Sequence, residues 1–331
     1  MKFSLFTVFD NYEEIIGRTV GQFYDEILEQ TVVAENLGFE GTWWAEHHFN
    51  EYGVIPSPYI LQGAAAKMTH KIRLGVSVAV LPLHNPVIVA ENFATVDVLS
   101  KGRLNLGLGS GYLKHEFAGF QIPFEDKALR FNDAFEVFKK AWTGKPFSHD
   151  GPYYHIPELQ INIRPPQQPM PEFWVAALRK ESVPYVARLG HRIMGIAYVN
   201  SNSREEMASV IDTYKTEYRA AGFGDPDALD LPVAFHVHVA DSREEAEAMA
   251  KESLNLYLRT RQYGKDIRYE DLYRREQAIF GSPDDVIRQI RAYEAVGVNH
   301  FIALMNFGGL DHQKVLRSMD LFSRHVMPAF R

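Results

Sequence analysis

The chain has 331 residues, is 46% hydrophobic and 23% charged, carries a formal net charge of −7 and contains no cysteine. That composition suits an ordinary globular protein, argues against nucleic acid as a partner, and excludes disulfides, thiolate metal sites and cysteine nucleophiles. No run approaches the ~20 apolar residues that a bilayer crossing needs. The first ten residues lack the length and cleavage site of a signal peptide, so no membrane contact and a cytoplasmic location are expected.

Lys2 to Val8 reads as a strand. Gln22 to Leu37 has helical spacing and Gly38 stops it. Gly41 to Asn50, G-T-W-W-A-E-H-H-F-N, begins with β-branched and aromatic residues and runs out into Glu46, His47 and His48. In parallel α/β folds the C-terminal end of a strand carries the chemistry. Pro58 to Met68 reads as a helix, Ile72 to Leu81 as a buried valine-rich strand, and Pro86 to Leu99 as a helix opened by its proline. Arg103 to Gly109 is a strand ending in Gly109-Ser110-Gly111, and Asp126 to Trp142 is helical. Lys145 to Pro171 breaks the rhythm, with a hairpin predicted over Phe147 to Ile156 that turns at Asp150-Gly151. Strands follow at Glu172 to Ala177, Arg192 to Tyr198, Leu231 to Ala240 and Val298 to Met305. Capping boxes are predicted at Ser203/Glu206 and Ser242/Glu245, and Ser282-Pro283-Asp284-Asp285 is a strong helix start. Leu256 to Phe280 is a second irregular region.

Eight strands alternating with helices point to an α/β chain folded as a single (β/α)8 TIM barrel, with insertions in βα loops near 145–171 and 256–280. One domain would then span 1–331. An open doubly wound sheet would need a reversal of strand order, which the pattern does not suggest. The strand ends would form a mostly apolar bowl, with Trp44, Phe6, Leu81 and Met305 as its wall. Two stretches suit an oxygen-rich ligand. At Leu178-Arg179-Lys180-Glu181-Ser182, backbone N–H groups, a helix start, two cations and a hydroxyl converge. At Gly107-Leu108-Gly109-Ser110-Gly111, glycines would let a ligand approach the backbone. No metal site is expected. His236 and His238 share a strand face without completing a ligand set, and the adjacent His47 and His48 point to opposite faces. The helices Pro58 to Met68 and Pro86 to Leu99 are apolar enough to call for a covering partner.

Almost the whole chain, Lys2 to Phe330, resembles the bacterial luciferase-like flavin monooxygenases. The matching runs are A-E-N-L-G-F-E-G-T-W-W-A-E-H-H-F from Ala34, I-R-L-G-V-S-V-A-V-L-P-L-H-N-P from Ile72, A-E-N-F-A-T-V-D-V-L-S-K-G-R-L-N-L-G-L-G-S-G-Y from Ala90, and V-G-V-N-H-F from Val296. The resemblance implies a barrel that binds reduced FMN delivered by a separate NAD(P)H:flavin reductase. It implies that a flavin C4a-hydroperoxide formed with oxygen then oxygenates a small organic substrate. By position, His47 matches the catalytic histidine, with Glu46 beside it. Ser77-Val78 matches a non-proline cis peptide against the flavin ring, Leu178, Arg179 and Ser182 match phosphate-binding residues, and Gly109 and Ser110 match positions lining the flavin. Bacterial luciferase has a cysteine where Gly109 stands and an arginine where Ser110 stands. Leu256 to Phe280 sits where the luciferases have a longer mobile lid, so a non-luminescent oxygenase is expected, with Arg179, Lys127 or Arg130 as candidates for the missing phosphate partner. The family's corresponding helices pair across a dimer interface, which implies a homodimer. The rival readings are a deazaflavin (F420)-dependent oxidoreductase on the same fold and a flavin-binding protein without catalysis.

Overall fold

The β-branched and aromatic runs form eight parallel strands, each slightly shorter than its apolar stretch. They are β1 Lys2–Thr7, β2 Gly41–Trp44, β3 Arg73–Val80, β4 Leu104–Gly109, β5 Phe173–Ala176, β6 Arg192–Ile196, β7 Pro232–Val239 and β8 His300–Asn306. Each pairs in parallel with the next, and β8 pairs with β1, so the sheet closes. Helices on the outside join the strands, giving the (β/α)8 barrel. The computed structural model describes residues 1–177, 180–261 and 266–331.

The period-two alternation of a strand decides which side chains fill the barrel. On β2, Trp43 packs edge-on against Trp174 of β5 with ring centroids 5.2 Å apart, forming a floor. Gly75 on β3 makes room for it, since a Cβ there would lie 2.4 Å from the Trp43 ring. Trp44 therefore faces outward and stacks edge-on against Phe9 at 5.7 Å. Gly38, Gly190 and Gly297 end their helices at φ +84°, +71° and +101°, as the helix–glycine–strand pattern predicts.

The insertions differ from expectation in detail. The hairpin is present, but its strands are Phe147–Asp150 and His155–Leu159, so the turn is longer than a tight Asp150-Gly151 pair. Leu256 to Phe280 is more regular than its sequence suggests. The helix Arg243–Thr260 runs into it, burying Leu254, Tyr257 and Leu258. A short helix Tyr269–Arg274 follows, and Ala278–Gly281 adds a parallel strand beside His236–Val239 of β7. The predicted boxes at Ser203 and Ser242 are only half formed. Each serine accepts from the glutamate N–H three residues on, but Glu206 reaches back to Asn202 and Glu245 to Asp241. At Ser282 the box with Asp285 closes both ways. Among the described residues, no helix is long and apolar enough to cross a membrane.

Candidate active site

A cavity of about 420 Å³ opens at the C-terminal rim of the barrel. Its lining is drawn from many of the strands and their following loops, among them Phe6, His47, Ser77, Val78, Gly109, Ser110, Tyr112, Glu116, Lys127, Phe131, Ser182, His191, Met194, Arg261 and Ile302. A largely apolar cleft with a few converging polar groups is what a ligand site looks like physically. Phe6 forms part of the wall as expected. Trp44, Leu81 and Met305 do not, because strand alternation and the turn after β3 send them into the packed core instead.

The strand β2 ends at Trp44, and the chain then splits its three polar residues between two directions. His47 lines the cavity. Its Nδ1 donates to Glu116 Oε1 at 3.1 Å, and the same oxygen accepts the His48 backbone N–H at 3.0 Å. Glu116 is 1% exposed and sits on the six-residue helix Lys114–Gly119, within a stretch that reads from sequence as a loop. Burial holds His47 below the usual imidazole range, opposed by the Glu116 hydrogen bond. The ring is therefore neutral near pH 7, and with Nδ1–H fixed on the carboxylate its Nε2 keeps a free lone pair.

Glu46 is not among the lining residues. Its Oε1 accepts from His48 Nε2 at 3.1 Å and His84 Nε2 at 2.6 Å, and its Oε2 accepts Val80 N–H at 3.2 Å. Burial pushes this carboxyl up, but the charges and hydrogen bonds of His84 and His48 outweigh it and leave it down at about 2. Burial lowers His84, and the Glu46 charge more than reverses that. One carboxylate oxygen and two imidazole nitrogens lie within 4.8 Å of one another here, a donor set of the kind that holds a divalent cation. In this structure they are joined to each other, and the network ties the end of β2 to the end of β3. On β7, burial pushes His236 down to about 3 and His238 to about 4. Both serve as neutral aromatic filling, His236 against Tyr257 at 4.7 Å and Phe307 at 5.2 Å.

The Ser77-Val78 peptide is cis, as the resemblance implies, and both residues line the cavity. The β3–β4 register slips there, from Val76 opposite Leu106 to Ala79 opposite Leu108. That slip revises the meaning of the glycine run. A Cβ on Gly107 would lie 2.2 Å from Val76 O, and one on Gly109 2.5 Å from Val78 Cγ2. These glycines admit the neighbouring strand first, and Gly109 reaches the cavity as a consequence.

The oxygen-rich end is also rearranged. Leu178 and Arg179 lie outside the described residues. Lys180 turns away toward Glu206 at 3.7 Å. The helix beginning at Val183 has only six residues, preceded by a single 3-10 turn at Lys180–Ser182. Ser182, Ser110 and Lys127 line the cavity. Lys127 Nζ donates to Gly111 O at 2.9 Å, whereas Arg130 stacks over Tyr153 and Tyr154 at 5.0 and 5.6 Å.

Comparison with known proteins gives this geometry a context. The sequence profile of the luciferase-like monooxygenases matches residues 1–300. The oxygenase component of a flavin-dependent trigonelline monooxygenase from Acinetobacter baylyi is 26% identical, over 100% of this chain and 96% of that protein. An F420-dependent glucose-6-phosphate dehydrogenase from Amycolatopsis mediterranei is also 26% identical, over 92% of this chain and 94% of its own. Among solved structures, the monooxygenase RslO1 from Streptomyces bottropensis superposes with a TM-score of 0.89 at 26% identity, each chain covered completely.

Proposed function

The chain belongs to the luciferase-like monooxygenase family, and from that premise we propose that it is the oxygenase component of a two-component system that uses reduced FMN and oxygen to oxygenate a small organic substrate. The observation that carries this reading is the neutral His47, fixed through Nδ1 by buried Glu116 and presented to a largely apolar cavity.

The residues present fit the cofactor. The cavity volume of about 420 Å³ lies in the range of small-ligand sites. The flat backbone at Ser77-Val78 offers a surface for the ring system. Ser110, Ser182 and Lys127 offer two hydroxyls and a cation for the phosphate. Leu178 and Arg179 are proposed to join them. When bound, reduced FMN would supply the two electrons that let one oxygen atom enter the substrate while the other leaves as water. The chain's part is to bind, shield and move protons. Phe6, Val78, Phe131 and Ile302 keep water from the reacting edge. His47 Nε2 takes up a proton there and returns it, while Glu116 holds the tautomer. Glu46 acts behind His47, as a positioning group that joins β2 to β3.

The second reading is hydride transfer from reduced F420, favoured by the dehydrogenase that is likewise 26% identical over 92% of this chain. A flavin-binding protein without catalysis is disfavoured by the His47–Glu116 pair, in which a buried carboxylate fixes an imidazole that lines the cavity. An anaerobic titration with each reduced cofactor separates the readings. Tighter binding of reduced FMN supports the oxygenase, and tighter binding of reduced F420 overturns it. A separate NAD(P)H:flavin reductase would supply the cofactor. The exposed Ile60 and Met68 on one helix and Ile88 and Val98 on the next support a homodimer across these faces. Sedimentation at micromolar concentration checks this, a monomer counting against it.

A further inference from the structure

Arg261 caps the C-terminal end of the helix Arg243–Thr260 and is 3% exposed, yet its side chain lines the active-site cavity. A guanidinium is costly to bury, and it does not lose its charge. Its setting is aromatic. The charge sits 5.1 Å from the Tyr52 ring and 5.1 Å from the Tyr257 ring, and Nη2 donates to Tyr112 Oη at 3.2 Å. Tyr52 and Tyr112 are also the rings that stand edge-on to His47, at 5.2 and 6.1 Å. The same two tyrosines therefore hold a cation and the neutral imidazole at one part of the cavity. Asp10 is fully buried, accepts the Gly308 N–H at 2.6 Å, and lies near enough for the Arg261 charge to oppose the rise that burial gives its carboxyl. Lys127, the other cation of the lining, is engaged with Gly111 and Phe124.

We propose that Arg261, steadied by Tyr52, Tyr112 and Tyr257, is the specificity-determining residue of this cavity, and that the substrate is an organic acid whose carboxylate pairs with its guanidinium beside His47. The inference rests on the oxygenase reading of the site. A planar guanidinium matches a carboxylate through paired hydrogen bonds, which a neutral isostere such as an amide cannot reproduce. Tyr112, which lines the cavity beside it, provides a flat apolar wall for an unsaturated or aromatic body. Binding the acid would also remove much of the positive field that Arg261 casts on His47. The base therefore gains proton affinity when substrate is present.

The test uses the full chain loaded with oxidised FMN. Benzoate and hexanoate are titrated against benzamide and hexanamide, read by calorimetry and by perturbation of the flavin spectrum. At least one acid should bind about tenfold or more tighter than its amide, the worth of one charge-assisted hydrogen bond. Arg261→Met should erase that preference while FMN affinity stays within about twofold, and Lys145→Met, at an exposed position outside the cavity lining, should leave the preference intact. Should Arg261→Met not fold, Arg261→Lys replaces it. It keeps the charge but not the fork, so it should retain only part of the preference. Acids and amides that bind alike, no binding by either acid, or a preference that survives loss of Arg261 would each overturn the proposal. FMN titration of the wild-type chain reads the underlying oxygenase assignment separately. Failure there leaves the acid-over-amide comparison, repeated on the flavin-free chain, as the judge of Arg261.

Discussion

Replacing Gly109 with alanine tests whether the glycine run serves the neighbouring strand or the ligand. The new Cβ would lie 2.5 Å from Val78 Cγ2, with Val78 Cβ at 3.5 Å and Gly111 N at 4.0 Å as the next atoms. The first contact is about 1 Å inside the ~3.5 Å at which carbons touch comfortably. One atom of one side chain is thus responsible for nearly all of the clash. Overpacking of this kind costs about 1–3 kcal/mol. Val78→Ala removes the offending methyl at its own cost of about 1–2 kcal/mol, since Val78 is only partly buried. The two changes together should cost less than their sum by about 1–2 kcal/mol, beyond the ~0.5 kcal/mol scatter of independent sites. Urea unfolding followed by tryptophan fluorescence gives the four stabilities, and FMN titration of the same proteins shows whether the displaced Val78 wall weakens binding. Strictly additive stabilities would refute the reasoning. So would a Gly109→Ala protein of full stability that has lost FMN, because the glycine would then be serving the ligand directly.

Other expectations follow from the same geometry. His47→Asn should retain FMN affinity but lose about 10²–10⁴ in oxygenation rate, the usual worth of a positioned acid–base group; an unchanged rate would remove His47 from the mechanism. Because a neutral imidazole is required and His47 lies below its ordinary value of 6.5, the acid limb of the rate profile should fall below that pH. Glu116→Gln removes an interaction that raises His47, so the limb should move further down, and a limb that moves up would contradict the pairing. His84 is raised in the folded state, so its contribution to stability is complete below pH 6.5 and lost as pH rises through its folded value, while Glu46, depressed to about 2, contributes above 4.5 and fails only in acid. His84→Gln should therefore flatten the fall in stability on the alkaline side of 6.5, read from midpoint temperatures across the pH range. Lys127→Met should weaken FMN binding about tenfold without altering riboflavin binding, if Lys127 serves the phosphate; equal losses for both flavins would place it elsewhere.

The barrel was legible because its evidence is local. Valine-rich strands, closing glycines such as Gly38 and Gly297, and caps such as Ser282 each announce themselves within a few residues. The position of His47 at the end of β2 follows from the same order. What the chain order hides is direction and distance. Glu116 is 69 residues from His47 on a helix of a single turn or so, with no period to reveal it. Whether Glu46 or His47 faces the cavity depends on a chain that has already left the strand at Trp44, so alternation no longer applies. The glycines of β4 looked like ligand contacts because the cis-linked bulge on β3, which they accommodate, is not visible in their own sequence. Arg261 escaped notice for a similar reason. It stands inside a stretch that read as irregular, while a long helix carries it to the cavity wall.

The oxygenase assignment is tested most directly by mixing the anaerobic reduced-FMN complex with oxygenated buffer in a stopped-flow spectrophotometer. A cavity that excludes water and controls protons through His47 should yield an absorbance band distinct from both reduced and oxidised FMN, persisting well beyond the mixing time. In His47→Asn that band should collapse faster to oxidised FMN and hydrogen peroxide. Direct conversion of the wild-type complex to oxidised FMN, at the rate of the free cofactor and with stoichiometric peroxide, would contradict the account.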